Sequence, residues 1–212
     1  MPGRGLFITL EGGEGAGKTT LAAALAARLR KDGREVVTTR EPGGTENAEA
    51  LRALLVTGDP GRWSAVAEAL MMFAARTDHV EKLIRPALER GAVVICDRFT
   101  DSTRAYQGAA GGLSPERIGA IEDAALDGFG PDLTLIVDLD PAVGLARTEG
   151  RQSGETRFER KPQTFHENLR KAFLDIAKAE PDRCVLLDGA SSPEALADAA
   201  EAAIRARLET LA

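Results

Sequence analysis

The stretch that decides the fold is Gly12-Gly13-Glu14-Gly15-Ala16-Gly17-Lys18-Thr19, which fits the pattern G-x-x-x-x-G-K-[ST] of a phosphate-binding loop. Its glycines allow positive φ and leave backbone N–H groups open to a polyphosphate, so the loop can wrap around an anion. Lys18 can reach the β- and γ-phosphates, and the Thr19 hydroxyl suits a Mg²⁺ ligand. A helix that starts near Gly17 would direct its positive end at the same oxygens.

The sequence on both sides of the loop has the context that this motif requires. Leu6 to Leu10 (LFITL) is an apolar, strand-like run, and Thr20 to Lys31 (TLAAALAARLRK) is an Ala- and Leu-rich helical run that Gly33 closes. A glycine-rich turn that matched by accident would lack this strand and helix. The motif therefore predicts nucleotide binding by Gly12 to Thr20, but it leaves the use of the nucleotide open.

Composition and charge limit the class of protein. The chain has 212 residues, a size for one α/β domain, and its net charge is −6 without any basic run, so a nucleic-acid surface is not indicated. No apolar run approaches the ~20 residues of a membrane span, and the first strand leaves no room for a signal peptide. We therefore expect a cytoplasmic protein in which Cys96 and Cys184 are buried, reduced thiols.

Strand-like and helix-like runs alternate along the rest of the chain. Further strands are predicted at 35–39, 92–96, 133–137 and 184–187, and helices at 46–56, 62–90 with a bend at Pro86, 101–106, from 114, 141–148, 162–179 and 193–208. The alternation predicts one domain over residues 1–212, with a three-layer α/β fold around a five-stranded parallel sheet. Residues 149–160 (EGRQSGETRFER) are polar and aperiodic, and they form the candidate lid.

Other classes of phosphate-loop protein lack their motifs here. A guanine-reading Asn-Lys-x-Asp segment does not occur, and the D-x-x-G segment at Asp127 to Gly130 follows a helix instead of a strand. Large motor ATPases and transporters need a longer chain. A small kinase is therefore favoured, and a regulatory ATPase is the alternative from another class.

The later motifs resemble those of bacterial thymidylate kinases. In chain order they are Glu11 to Thr20, Arg40-Glu41-Pro42-Gly43-Gly44-Thr45, Asp97-Arg98-Phe99 with Ser102-Thr103, Ala105-Tyr106-Gln107-Gly108, and Pro131-Asp132-Leu133-Thr134. The resemblance covers the chain from Leu6 to about Ala179. It implies a nucleoside-monophosphate-kinase fold, usually a homodimer, that transfers the γ-phosphoryl group of ATP to dTMP with Mg²⁺. A kinase of another nucleotide or nucleoside on the same fold is the alternative.

The resemblance also implies catalytic roles for several residues. Asp97, at the end of a central strand, would hold Mg²⁺ together with Thr19, directly or through water. Arg98 would clamp the acceptor phosphate with its guanidinium fork, and an ion pair with Glu41 is the alternative. Glu14 is an acid inside an anion-binding loop, so a metal-linked or lid-contacting role is expected.

The acceptor base is expected against Arg76. Similar kinases carry Phe four residues earlier, whereas this chain has Met72 there and Phe73 next to it. Helical geometry puts Met72 on the flank of Arg76 and Phe73 in the apolar stripe, so the stacking residue is left open between the two. The resemblance further places a group of residues at the acceptor, namely Arg40, Ser102, Thr103, Tyr106 and Gln107, and it places Arg147 at ATP.

Two further expectations concern Tyr106 and the lid. The Tyr106 ring would stand beside the sugar and exclude a ribose 2′-hydroxyl, unless it is only a packing residue. The phosphate loop has no basic residue from Gly13 to Ala16, and similar kinases supply the missing cation from the lid. We expect Arg151, Arg157 or Arg160 in that role, with Arg151 preferred, and a solvated polar loop is the alternative.

Overall fold

The computed structural model describes residues 4–148 and 157–211. Their strands form one five-stranded parallel sheet in the order β2-β3-β1-β4-β5. The strands are β1 (Leu6–Glu11), β2 (Val36–Arg40), β3 (Val93–Asp97), β4 (Leu133–Asp138) and β5 (Cys184–Asp188). The predicted sheet is therefore confirmed, and each predicted strand is present within one residue at either end.

Helices connect the strands and cover both faces of the sheet. They are α1 (Lys18–Lys31), α2 (Glu46–Val56), α3 (Ala65–His79), α4 (Arg85–Glu89), α5 (Thr100–Thr103), α6 (Pro115–Leu126), α7 (Pro141–Thr148), α8 (Gln163–Ala179) and α9 (Pro193–Leu211). Two π-helical segments continue α3 and α5, at Val80–Ile84 and Arg104–Ala109. None of the helices within residues 4–148 and 157–211 combines the length and the apolar composition needed to cross a membrane.

The long helical pattern predicted for 62–90 is divided in the structure. The helix begins only at Ala65, because the Ser64 side chain accepts a hydrogen bond from the backbone N–H of Ala67 and caps it. It widens into the π-helical segment just before Pro86, which has no N–H to donate to an earlier carbonyl. The deviation thus precedes the proline at which the bend was predicted.

The sheet is buried on both faces, as a parallel sheet requires. In β1, Leu6, Ile8 and Leu10 join the core beneath α1 and α9, whereas Phe7 joins the core beneath α3 and α6. All five strands end in a charged residue at the same edge of the sheet, namely Glu11, Arg40, Asp97, Asp138 and Asp188. Parallel α/β sheets bind their ligands at this edge, and the sequence therefore concentrates its charged side chains there.

Candidate active site

The phosphate-binding loop connects β1 to α1 and has the backbone that its glycines permit. Gly12, Gly15 and Gly17 have φ of 133°, 66° and 94°, in the left-handed region that favours glycine. A Cβ atom at Gly12 would collide with the carbonyl oxygen of Val137, and one at Gly15 with that of Gly144. Glycine is thus required at these two positions by both conformation and space.

Lys18 is the first residue of α1, and its side chain is buried beside the loop. Its Nζ donates hydrogen bonds to the carbonyl oxygens of Gly12 and Gly13, at 3.2 and 2.8 Å. Burial and the neighbouring Arg98 charge lower the pKa of Lys18 to about 8. The ammonium group is therefore still predominantly charged at neutral pH and lies against the loop that would hold a polyphosphate.

Thr19 and Asp97 bring two oxygen ligands together. The Thr19 hydroxyl donates a hydrogen bond to Asp97 Oδ2 at 2.8 Å, linking the start of α1 to the end of β3. Mg²⁺ binds oxygens at about 2.1 Å in octahedral geometry, so that adjacent ligands lie roughly 3 Å apart. A hydroxyl and a carboxylate oxygen at this separation fit two adjacent ligands of the Mg²⁺ ion that the sequence predicts here.

Arg98 follows β3 in a left-handed conformation, with φ of 75°. Its Nη1 donates to the carbonyl oxygen of Gly12 at 2.9 Å and to Ser102 Oγ at 3.2 Å, and its Nη2 pairs with Glu14 Oε1 at 3.2 Å. The alternative partner suggested by the sequence, Glu41, is engaged elsewhere. The Arg98 fork is thus fixed against the phosphate-binding loop.

Tyr106 completes this cluster. Its hydroxyl donates to Glu14 Oε1 at 2.6 Å, and the Arg98 guanidinium lies 4.9 Å from the centre of its ring. Burial opposes ionisation of Glu14, but the charges of Arg98 and Lys18 outweigh this effect and lower the pKa of Glu14. The ring also packs edge-on against Phe158. Tyr106 is thus both a packing residue and a residue of the cavity wall.

Glu11 was given no role from the sequence. Its fully buried carboxylate accepts hydrogen bonds from the Phe99 N–H at 2.8 Å, the Ser102 N–H at 3.2 Å and the Ser102 hydroxyl at 2.6 Å. These bonds cap α5 immediately after Arg98, where Phe99 has no capping side chain. Burial and the neighbouring Asp101 raise the pKa of Glu11 to about 7. The signal in the sequence that could have identified Glu11 is its position as a charged residue at the end of an apolar strand.

A cavity of about 760 Å³ opens at this edge of the sheet. The phosphate-binding elements contribute Glu14, Thr19, Asp97 and Arg98 to its wall, and most of the predicted acceptor residues line it as well, namely Arg40, Met72, Arg76, Ser102, Thr103, Tyr106 and Gln107. The structure therefore brings residues from separate parts of the sequence together on one cavity.

Arg76 is held in this wall by a nearly complete set of partners. Its Nε donates to Glu41 Oε2 at 2.6 Å, and Nη2 donates to the Phe99 carbonyl oxygen at 3.0 Å. Both Nη1 and Nη2 lie 3.2 Å from Thr103 Oγ1. His79 Nδ1 is 2.9 Å from the other Glu41 oxygen and fixes that carboxylate. The guanidinium is therefore rigid, in a residue that lines the cavity.

The same cluster has a composition that would suit a metal. Potential ligand atoms of Glu41, His79 and Cys96 lie within 4.8 Å of one another. However, both Glu41 oxygens are already used by Arg76 and His79, and His79 Nε2 is 2.7 Å from Thr39 Oγ1. We therefore interpret the cluster as a hydrogen-bonded support for Arg76.

Phe73, one of the two residues left open as the partner of the acceptor base, lies in the core and not on the cavity wall. Phe73 is 2% exposed and lies in the core cluster that contains Phe7 and Phe99, whereas Met72 lines the cavity. The cause is the turn of about 100° per residue along a helix, which directs neighbouring side chains to different faces. Phe73 nevertheless supports the site, because the Arg76 guanidinium lies 4.6 Å from the centre of its ring.

The lid arginines differ in their surroundings. Arg157 is 1% exposed, and it donates to the carbonyl oxygens of Leu55, Asp59 and Pro60 at 3.0, 3.0 and 3.1 Å. Such an arginine is an anchor and is not available to a phosphoryl group, which removes it from the candidates. Arg160 is exposed and donates to the Gly58 carbonyl oxygen. The preferred candidate, Arg151, lies outside the described residues.

The predicted ATP residues outside the loop are exposed. Thr20 follows Thr19 in the first turn of α1. Arg147 is in the last turn of α7, where its Nη1 lies 3.4 Å from the Gly189 carbonyl oxygen. Arg40 is also largely exposed, and it pairs with Glu49 at 3.2 Å on the cavity wall. These side chains are less constrained than Arg76 and Arg98.

Comparison with known proteins adds to this geometry. A family model described as thymidylate kinase matches residues 10–200. Thymidylate kinase from Caulobacter vibrioides is 56% identical over 201 residues, which cover 95% of this chain and 94% of that protein. The chain belongs to the thymidylate kinase family.

Further relatives agree with this assignment. The thymidylate kinase of Pseudomonas putida is 54% identical over 192 residues, covering 91% of each chain. The crystal structure of thymidylate kinase from Ehrlichia chaffeensis superimposes with a TM-score of 0.77 at 33% identity, covering 95% of this chain and 99% of that one. The predicted family, α/β fold and phosphotransferase class are confirmed, and membership of this family supports the phosphorylation of dTMP.

Proposed function

We propose that the described site transfers the γ-phosphoryl group of ATP, bound at Gly12 to Thr20 and Arg147, to dTMP in the adjoining cavity. One observation carries this proposal. The cavity wall contains both the phosphate-loop cluster around Arg98 and the rigidly held Arg76. An acceptor that spans these two arginines would present its phosphate to the donor and its base to Arg76.

On the acceptor side, Arg98 and Arg40 would bind the phosphate, because guanidinium groups pair bidentately with phosphate oxygens. Arg76 would contact the base together with Thr103 and Gln107, and Met72 would pack against the ring. Ser102 and Tyr106 would lie beside the sugar. Support for this arrangement comes from the position of all of these residues on one cavity.

Catalysis would depend on positioning and charge neutralisation, without a covalent intermediate. Lys18 would stabilise the transferring phosphoryl group from the loop side, and Arg151 would do so from the lid at 149–160. Thr19 and Asp97 would hold Mg²⁺, which when bound neutralises charge on the phosphate oxygens. Glu14 would keep Arg98 and Tyr106 in place, in contact with both the loop and the cavity.

The proposal extends to organisation and location. We expect residues 1–212 to act as one domain with a lid, and the protein to be a homodimer in solution, measurable by light scattering. A cytoplasmic location is supported by Cys96 and Cys184, which are both buried and unpaired.

The test measures ADP formation from ATP and Mg²⁺ with dTMP, dUMP, dCMP, dGMP, thymidine or no acceptor. We expect turnover to depend on dTMP. Turnover with thymidine would indicate a nucleoside kinase, and a preference for another monophosphate would indicate a different nucleotide kinase. ADP formation that is independent of any acceptor would support a regulatory ATPase and contradict the proposal.

A further inference from the structure

The amide of Gln107 is held in one orientation on the cavity wall. Its Nε2 donates a hydrogen bond to Glu68 Oε1 at 2.6 Å, and both side chains are buried. A carboxylate only accepts hydrogen bonds, so only the NH₂ side of the amide can face Glu68. Within residues 4–148 and 157–211, no group donates a hydrogen bond to the amide oxygen. This oxygen is also not among the fully buried polar atoms that lack a partner, so it is accessible. The amide oxygen therefore faces the cavity that Gln107 lines.

Glu68 is itself immobilised by an arginine. Its Oε2 pairs with Nη1 of Arg157, which three backbone carbonyls from the last turn of α2 and the α2–α3 connection hold in place. This pair and the hydrogen bond to Gln107 use both carboxylate oxygens. The orientation of the Gln107 amide is thus fixed by a buried chain of contacts that ends at the base of the lid segment.

The helix α3 places this chain next to the base-contacting residues. Glu68, Met72 and Arg76 are spaced four residues apart, so they lie on one face of the helix. Arg76 has only N–H donors to offer, whereas Gln107 offers a carbonyl oxygen. Within the cavity wall, Arg76 therefore presents donors and Gln107 presents an acceptor, each from a fixed side chain.

We propose that Glu68 is a positioning residue that determines base specificity, by holding the Gln107 amide with its oxygen towards the acceptor base. The inference rests on the proposed function, in which dTMP occupies the cavity. A thymine edge has an N3–H donor beside carbonyl acceptors and matches this wall. A cytosine edge has an unprotonated N3 and an amino group, and would place acceptor against acceptor and donor against donor.

The test compares kcat/KM for dTMP with kcat/KM for 5-methyl-dCMP, which differs from dTMP only at position 4 and in the proton on N3. In Glu68→Gln, residue 68 can present either end of its own amide, so Gln107 is free to turn. We expect the dTMP preference to fall by about tenfold, as for the loss of one complementary hydrogen bond. A purely structural role would lower both values by the same factor and leave the ratio unchanged.

The matched control is Glu201→Gln. Glu201 lies on α9, outside the cavity, and its carboxylate pairs with Arg28 of α1 and with Arg205. This substitution should leave the ratio at the wild-type value. In a Gln107→Ala background, Glu68→Gln should produce no further change in the ratio, because its effect acts through Gln107.

Two results would overturn the inference. One is a folded Glu68→Gln protein whose ratio equals that of the wild type, and the other is an equal fall of the ratio in the Gln107→Ala background. If Glu68→Gln does not fold, Glu68→Asp keeps the charge opposite Arg157 while withdrawing from Gln107, and the same criteria apply to it. Failure of the wild-type protein to phosphorylate dTMP would instead refute the proposed function.

Discussion

The buried ion pair between Arg76 and Glu41 allows a quantitative prediction for Glu41→Gln. The pair has an N–O distance of 2.6 Å, and its side chains are only 2% and 3% exposed. Removing one charge leaves the other buried without compensation, which costs about 3–5 kcal/mol of unfolding free energy. For a domain of this length each kcal/mol shifts Tm by roughly 2–4 °C, so the midpoint should fall by about 6–20 °C.

The measurement is urea unfolding followed by circular dichroism, with the m-value as a check that the transition is unchanged. Glu35→Gln serves as the matched control, since Glu35 pairs with Arg90 at 3.2 Å with side chains 52% and 56% exposed. Exposed pairs contribute about 0–1 kcal/mol. If Glu41→Gln lost no more stability than this control, the argument from burial would be refuted.

The remaining predictions concern activity and pH. Lys18→Met should remain folded while turnover falls by orders of magnitude, and near-normal activity by a coupled ADP assay would contradict its role. Arg151→Ala should lower kcat by ~10³ or more while leaving the Tm unchanged; Arg157→Ala should lower the Tm, and the reverse pattern would show that the two roles were exchanged. Tyr106→Ala should narrow the kcat/KM gap between dTMP and its ribonucleotide analogue, and an unchanged ratio would leave only the packing role. The pKa of Glu11 is raised from 4.5 to about 7, so the folded protein binds a proton at Glu11 more tightly than the unfolded chain does. The stability that this proton contributes is complete below pH 4.5 and is lost as the pH rises through 7. The unfolding free energy of the wild type relative to Glu11→Gln should therefore be larger at pH 5 than at pH 8, and a constant difference would contradict the shift.

The elements of the fold were predictable because their signals are local. The boundaries of α2 and α7 agree with those predicted, and α2 has Thr45 at its start, whose side chain accepts a hydrogen bond from the Ala48 N–H. The apolar β3 run likewise indicated a buried parallel strand. What failed was the start of α3, because the sequence pattern alone did not reveal Ser64 as its cap.

The partners of the site residues were less predictable. An ion pair with Glu41 was the alternative expected for Arg98, but in the structure Arg98 pairs with Glu14 and Glu41 pairs with Arg76. Arg157 was a candidate for catalysis because it stands in a polar stretch, yet it is buried by residues about a hundred positions earlier. Neither contact has a periodicity or a spacing that a single sequence displays.

The chain has a net charge of −6, so its binding of two anionic nucleotides must depend on local contacts and not on net charge. Three carboxylates at or behind the cavity wall each engage a particular donor: Glu14 holds Arg98, Glu41 holds Arg76, and Glu68 holds Gln107. These contacts cancel much of the local positive charge, so attraction by net charge is a weak source of selectivity here. They also fix the directions of the remaining donors and acceptors at the cavity. Recognition then depends on the match between these fixed groups and the substrate, because a poor match leaves buried polar groups unpaired.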